Sequence, residues 1–324
     1  MLKEHFKLIS GTANVPLAEE VAKILKVPLT PVDIKRFHDG EIYCRVLESV
    51  RGCDVYIIQP TSPDANLHLM ELLIMSDALK RSSPLSITAV IPYYGYCRQD
   101  KKSKAREPIT AKLVANMLEV AGVKRVIAFE LHVAQVQGFF DIPSDNLDVL
   151  PLFADYIASK KLKDVVVVSP DAGGAARART FAKIINAPIA IVDKRRPEPN
   201  VAQVENVIGD VKGKSAVMID DIIDTAGSIT EAAKILVKFG AKDVYALATH
   251  GLFSEPAVEN IKKSLIKEVV VTNTIEIPKE KRISKIKILS IAPLLAEDIK
   301  RTHEGLPMGI VYEGMYKKLE KKLK

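Results

Sequence analysis

The 324-residue sequence predicts an α/β protein of two tandem domains, each a mainly parallel sheet flanked by helices. Two observations carry this expectation. Short β-branched apolar runs alternate with longer amphipathic stretches along the whole chain. A segment also recurs: GVKRVIAFELH (122–132) and GAKDVYALATH (240–250) share five of eleven positions, the Gly, Lys, Val, Ala and His. The helix patterns before the two copies align at the same offset, Ala115 over Ala233 and Leu118 over Leu236. Two similar domains joined near DNLDVLP (145–151) account for both observations.

The expected strands, in order, are CDVYIIQP (53–60), SITAVIPYY (86–94), KRVIAFELH (124–132), DVVVVSP (164–170), KSAVMIDD (214–221) and KDVYALATH (242–250). Their uninterrupted apolar stretches read as parallel strands buried on both faces. The helix patterns between them are LHLMELLIMSDALKR (67–81), ITAKLVANMLEVAG (109–122), LPLFADYIASKKL (150–162) and SITEAAKILVKFG (228–240). The second and fourth stop at Gly, a usual helix terminator. Ser228 followed by Glu231 reads as an N-cap with its capping box. GDVKGKS (209–215) resembles a Walker A loop, but it has three residues between its glycines where four are needed, and it precedes a strand. It reads as a turn.

Composition narrows the class. Hydrophobic residues make up 48% and charged residues 27%, enough for real cores in a soluble chain. No apolar run approaches the roughly 20 residues of a membrane span. The start, MLKEHFKLIS, lacks the apolar segment of a signal peptide, so the cytoplasm is the expected compartment. Cys44, Cys53 and Cys97 are odd in number and lack metal-site spacing, which suits a reducing compartment. The net charge is +7, but the tail KKLEKKLK (317–324) holds five Lys and one Glu, which is +4 of it. No basic-aromatic interleaving accompanies it, so nucleic acid is not an expected partner and the tail reads as a solvated helix end.

The chemistry concentrates in a few segments. In VMIDDIIDTAGS (217–228), Asp220, Asp221 and Asp224 follow an apolar strand, and Thr225, Ala226, Gly227 and Ser228 open a helix. Carboxylates at the carboxyl end of a strand can take sugar hydroxyls or metal-bound water, while small residues at a helix N-terminus cradle phosphate. A sugar phosphate satisfies both. SPDAGGAARA (169–178) follows a second strand: Asp171 can hold a metal or its water, and beyond Ala172 the pair Gly173 and Gly174 lets the backbone approach a diphosphate. In RFHDGE (36–41), Phe37 can stack on a base and Asp39 and Glu41 can accept from an exocyclic amine, although such a segment alone is also a common turn. In YYGYCRQDKK (93–102), Arg98 suits phosphate and Gln99 a base or ribose, with Asp100 next; alone, it would read as solvated surface. His132 ends a strand near Glu130, a place where a lone His is usually structural. DKRRPEPN (193–200) sets Lys194, Arg195 and Arg196 before two prolines, candidate cations for developing charge on a loop able to close over substrate.

VMIDDIIDTAGSI (217–229) resembles the phosphoribosyl pyrophosphate signature of the type I phosphoribosyltransferase fold. With the segments above and ELHVAQVQGFFDIPSDNL (130–147), VVTNTI (270–275) and LLAEDIKRTHEG (294–305), the chain resembles the class I ribose-phosphate pyrophosphokinase family over about residues 5–312. The resemblance implies two tandem type I phosphoribosyltransferase-like domains: 1–147 for ATP and subunit contacts, 148–312 for ribose 5-phosphate and pyrophosphate, then the Lys-rich tail 313–324. It implies synthesis of 5-phosphoribosyl 1-pyrophosphate from ATP and ribose 5-phosphate with release of AMP, feeding nucleotide, histidine and tryptophan biosynthesis. By the same resemblance Lys194 and Arg196 are catalytic. Phe37, Asp39, Glu41, Arg98, Gln99, Asp100 and His132 bind ATP. Asp220, Asp221, Asp224 and Thr225 through Ser228 bind ribose 5-phosphate, and Asp171 through Gly174 form the pyrophosphate loop. Mg²⁺ is the implied cofactor, with His132 and Asp171 as its residues. A homo-oligomer, commonly a hexamer, activated by phosphate and inhibited by ADP is also implied. The chain departs from the family pattern with Glu130 for Asp, Ser228 for Thr and Glu255 for Gly, and its tail runs past the usual end. A one-domain phosphoribosyltransferase would share the DDIIDTAGS loop but would not need RFHDGE, RQD and DKRR together. A regulatory relative would keep the fold and lose catalytic residues, yet Lys194, Arg196, His132 and Asp171 are all present.

Overall fold

A computed structural model describes residues 5–195 and 204–323. The chain divides into two compact units. The first takes in the chain to Asp148 together with Thr274–Glu276 and Ser290–Met308, and the second takes the remainder.

In the first unit β1 (Phe6–Ser10) leads into α1 (Val15–Leu25), which opens where the Asn14 side chain accepts the Leu17 N–H at 3.2 Å. A two-stranded antiparallel ribbon follows, β2 (Val32–Arg36) and β3 (Ile42–Val46). Then come β4 (Asp54–Ile58), α2 (Ala65–Lys80), β5 (Ser86–Ile91), α3 (Thr110–Ala121), β6 (Arg125–Phe129), a 3₁₀ turn at Ala134–Phe139 and β7 (Ser144–Leu147). The sheet order is β1-β4-β5-β6-β7, with every pairing parallel. Runs such as Val55 to Ile58 and Ile87 to Ile91 are buried throughout, as strands covered by helices on both faces require.

The second unit runs α4 (Leu150–Ser159), β8 (Val165–Ser169), α5 (Ala175–Ile184), β9 (Ile189–Arg195), β10 (Val204–Ile208), β11 (Ser215–Ile223), α6 (Gly227–Lys238), β12 (Asp243–Gly251), α7 (Ala257–Lys263), β13 (Glu268–Thr272) and β14 (Ile286–Leu289). Its order is β10-β9-β8-β11-β12-β13-β14, parallel except for the β9–β10 hairpin. Finally, α8 (Ala292–Glu304) belongs to the first unit and α9 (Gly309–Leu323) to the second. Among the described residues no helix is long and apolar enough to cross a membrane.

Both units follow one path: strand, helix, antiparallel hairpin, then four parallel strands in order. The first unit keeps only a single bridge, Leu8 with Leu29, where the second has β9 beside β8. This equivalence corrects the repeat seen in the sequence. The matched segments fall on β6, fourth in its sheet, and β12, third from β8 in its own. Their likeness reflects the common demands of a buried parallel strand, so the tandem fold is present but the alignment is one strand out of step.

Three local expectations also change. β11 runs two residues past the expected KSAVMIDD segment: pairing continues to Ile222 with His250 and Ile223 with Gly251, because β12 extends equally far. Ser228 is not the N-cap of α6: the helix begins at Gly227, capped by Ala226 in a left-handed conformation, φ 62°. Glu231 pairs instead with Lys234 at 3.2 Å. The Lys-rich tail is more than a solvated end, since Leu319 is buried and Lys322 pairs with Asp155 at 2.6 Å.

Within the first unit, α8 buries Asp298, which is 1% exposed. Burial pushes its carboxyl up to about 7; Asp145 adds to the rise and Arg125 opposes it. The folded state therefore holds a proton that the unfolded chain, with an ordinary Asp value of 3.8, releases. The associated stability is full below the unfolded value and is lost as pH rises through about 7. Asp298→Asn is expected to remove this slope, gaining a few kcal/mol over wild type at pH 8 and little at pH 4. Urea denaturation at the two pH values checks it; parallel curves would rule Asp298 out as the source.

Candidate active site

In the second unit the chain leaves β8 in one direction along the sheet and returns from β11 in the other. Ligands of open α/β sheets bind at such a switch point, beyond the carboxyl ends of the strands. Two turns meet that description, 170–174 after β8 and 224–228 after β11.

The first turn is held by its own polar groups. The Ser169 hydroxyl donates to the Asp171 carbonyl at 2.6 Å, and the Gly174 N–H donates to Asp171 Oδ1 at 3.0 Å. A Cβ on Gly174 would stand 2.8 Å from Ser169 Oγ, so this close fold needs glycine there. Asp171, Ala172 and Gly173 are exposed just ahead of α5. The N–H groups of a first helical turn have no intrahelical partner, which suits the turn to an anion.

The second turn follows the acids. Asp221 is 5% exposed, and its N–H donates to Asp220 Oδ1 at 2.9 Å. One Arg177 nitrogen lies 3.5 Å from Asp220 Oδ1 and 3.3 Å from Asp221 Oδ1. Burial raises the Asp220 carboxyl, the Asp221 carboxyl raises it further, and Arg177 pulls it back. Asp224 then leads into exposed Thr225, whose carbonyl accepts the Asn260 side-chain amide at 3.0 Å. The left-handed Ala226 ahead of helical Gly227 and Ser228 curls the backbone into an anion-binding concavity. Arg177 carried no signal of its own in the sequence; only the fold sets it, one turn into the helix after the glycine pair, against the acids of β11.

The β9–β10 hairpin borders the same sheet. Its register places Lys194 opposite Glu205. Only the backbone of Lys194 is described, and Arg196 lies outside the described residues.

In the first unit RFHDGE forms the tip of the β2–β3 ribbon. Asp39 Oδ1 accepts the Glu41 N–H at 3.1 Å and Gly40 turns at φ 98°. Phe37 stands 58% exposed, edge-on to Tyr43, with ring centroids 6.3 Å apart. The fold brings the RQD segment and His132 together, because the His132 N–H donates to Cys97 Sγ at 3.1 Å. Arg98 and Gln99 are exposed, and Asp100 is half-buried. Gln99 also has structural work: its Oε1 accepts the Thr110 hydroxyl at 2.5 Å at the start of α3. Glu130 adopts a left-handed φ of 37°, and Leu131 N–H is held by Asn146 Oδ1 at 2.9 Å. Glu255 is exposed, and nothing in the structure explains its presence.

Among the described residues no three His, Cys, Asp or Glu side chains gather into a metal cage. Mg²⁺ does not require one, since it keeps water and uses one or two carboxylates together with substrate phosphates. The exposed carboxylate of Asp171, next to a phosphate-type turn, fits that demand.

Comparison with known proteins gives a consistent result. The family model described as the N-terminal domain of ribose phosphate pyrophosphokinase matches residues 6–122, and the phosphoribosyl synthetase-associated domain matches residues 198–313. The ribose-phosphate pyrophosphokinase of Bacillus subtilis is 58% identical over 301 residues, 93% of this chain and 95% of that one. That of Bacillus caldolyticus is 55% identical over 311 residues, 96% and 99% of the two chains. The crystal structure of phosphoribosylpyrophosphate synthetase from Mycobacterium smegmatis superposes with a TM-score of 0.89 at 44% identity, covering 93% of this chain and all of that one. With the fold, the two switch-point turns and near full-length identity in agreement, the chain belongs to the ribose-phosphate pyrophosphokinase family.

Proposed function

We propose that this enzyme makes 5-phosphoribosyl 1-pyrophosphate by moving the β,γ-diphosphoryl group of ATP to ribose 5-phosphate. The anomeric 1-hydroxyl attacks the β-phosphorus, the bond from that phosphorus to the AMP oxygen breaks, and the hydroxyl proton passes to solvent. The observation that carries this reading is the second unit's switch point, where Arg177-bridged acids stand directly before a phosphate concavity. That pairing of carboxylate and anion cradle suits a sugar phosphate.

The chain's residues then divide the work. Asp220 and Asp224 accept from ribose hydroxyls, Asp221 buttresses Asp220, and Thr225, Ala226, Gly227 and Ser228 hold the 5-phosphate. Asp171 through Gly174 receive the diphosphate. Phe37 stacks on adenine, Asp39 and Glu41 accept from its amine, and Arg98, Gln99, Asp100 and His132 orient the nucleotide. Lys194 and Arg196 neutralise charge that grows in the transition state. Asp171 in the second unit and His132 in the first are the residues assigned to Mg²⁺, which would neutralise phosphate charge.

The product serves nucleotide, histidine and tryptophan biosynthesis in this reading, in the cytoplasm. Activation by phosphate and inhibition by ADP are part of it. Self-association, proposed as a hexamer, would cover apolar side chains exposed on α2 and α3, Met70, Leu113 and Val120 among them. A ³¹P NMR time course with ATP, ribose 5-phosphate and Mg²⁺ tests the reaction. AMP and a new C1-diphosphate signal are expected. ADP in place of AMP would mean transfer of the γ-phosphoryl alone, and no turnover at any phosphate concentration would mean a non-catalytic relative.

A further inference from the structure

The shared path of the two units locates the first unit's counterpart of the phosphate switch point. The turn after β8 corresponds to 11–14 after β1, and the turn after β11 corresponds to 59–64 after β4. In the first unit these turns are filled from within. Glu71 of α2 is 2% exposed, and its carboxylate enters the turn ahead of α1. Oε1 accepts the Thr12 N–H at 2.7 Å, and Oε2 accepts the Thr12 hydroxyl at 2.7 Å. Gln59, fully buried, donates its amide to Glu71 Oε1 at 2.8 Å and accepts the Ala13 N–H at 3.1 Å. A Cβ on Gly11 would overlap the Gln59 amide, so the turn has closed tightly around these side chains. Three donors thus converge on a two-oxygen anion ahead of a helix N-terminus, and the anion is part of the chain.

We propose that Glu71 is the internal ligand of an oxyanion site in the first unit, and that removing its carboxylate opens this site to a small planar oxyanion from solution. Glu71→Ala deletes the carboxylate and leaves the Thr12 N–H, the Thr12 hydroxyl and the Gln59 amide as donors around the space. Thr12 is exposed, so one wall of the space borders solvent. The donors are placed for two oxygens, Oε1 and Oε2, and such bidentate geometry favours a planar carboxylate-like ion over spherical chloride. Under the function proposed above, the same carboxylate confines sugar phosphate to the second unit; the oxyanion site itself does not depend on that reading.

Thermal unfolding of full-length wild type, Glu71→Ala and Glu71→Gln, in sodium formate against sodium chloride at equal ionic strength, tests it without reference to activity. In chloride, Glu71→Ala is expected to melt several degrees below wild type. Formate should raise its midpoint saturably, as binding to the folded state requires. Wild type and Glu71→Gln, whose side chains still fill the space, should not separate formate from chloride. The proposal is overturned if Glu71→Ala does not distinguish the two salts, or if all three proteins respond alike. Should Glu71→Ala fail to fold in chloride, its refolding yield decides: a gain specific to formate supports the site, and equal yields overturn it.

Discussion

Replacing Lys194 with alanine is expected to lower kcat by roughly 10²- to 10³-fold, the usual cost of losing one group aimed at transition-state charge. The fold gives a reason to test this lysine among 47 basic residues. β9 runs parallel to β8, with Ile191 level with Ser169, the last residue of β8. Lys194 lies three residues farther along, at a rise of about 3.3 Å each. Its backbone therefore stands about 10 Å beyond the end of β8, at the height of the 170–174 turn. The strand pairing with Glu205 fixes that height, so the substitution should leave the sheet intact. In the proposed role the charge it meets develops during transfer, so KM for ribose 5-phosphate should change far less than kcat. Steady-state kinetics with unaltered circular dichroism would check this. A kcat within a few-fold of wild type would remove Lys194 from the catalytic set.

Replacing Arg177 with methionine is expected to raise KM for ribose 5-phosphate by up to roughly 10- to 100-fold just above pH 7, where wild-type Asp220, raised to about 7, is mostly ionised. Methionine keeps much of the side-chain volume and deletes the charge that opposes the rise in the Asp220 carboxyl. Asp220 and Asp221 would then face each other without the bridging guanidinium, and Asp220, whose carboxyl burial already raises to about 7, would stay protonated to a higher pH than in wild type. On the proposed reading, a protonated Asp220 would lose a charge-assisted hydrogen bond to a ribose hydroxyl, worth about 1.5–3 kcal/mol. That free energy corresponds to the stated change in KM. The sign of the pH response follows: the raised carboxyl ionises as pH increases, so the deficit should narrow at higher pH. Arg177→Lys, which keeps the charge but not the fork, should recover part of the affinity. A merely structural arginine would give a pH-independent loss, and that result would exclude the positioning role.

Much of the candidate site was legible because its signals are local. Asp220 through Ser228 announce themselves as acids after a buried strand and small residues before a helix, and Gly173–Gly174 as a close backbone approach. The strand cores were legible for a related reason: continuous β-branched runs such as DVVVV and KSAVMI can be buried on both faces only in a parallel sheet. The ends of elements were less visible. The Ser228–Glu231 spacing suggested a cap, yet the left-handed Ala226 starts α6 earlier, a backbone choice that side-chain spacing does not encode.

By itself the sequence determined the α/β class and the phosphate-type turns, since these depend on periodicity and on small or acidic residues within a few positions of one another; the tandem architecture was expected from a repeat that the sheets place one strand out of step and from the family resemblance. Only the tertiary structure decided what depends on distant segments meeting. Arg177 reaches Asp220 and Asp221 across more than forty positions, and Glu71 reaches Thr12 across fifty-nine. Strand order chose those partners: β8 lies beside β11, and β1 lies beside β4. Sheet order also showed that the two similar sequence segments occupy different places in their sheets. Pairing in a parallel sheet is set by which buried faces fit together, and no local pattern along the chain carries that information.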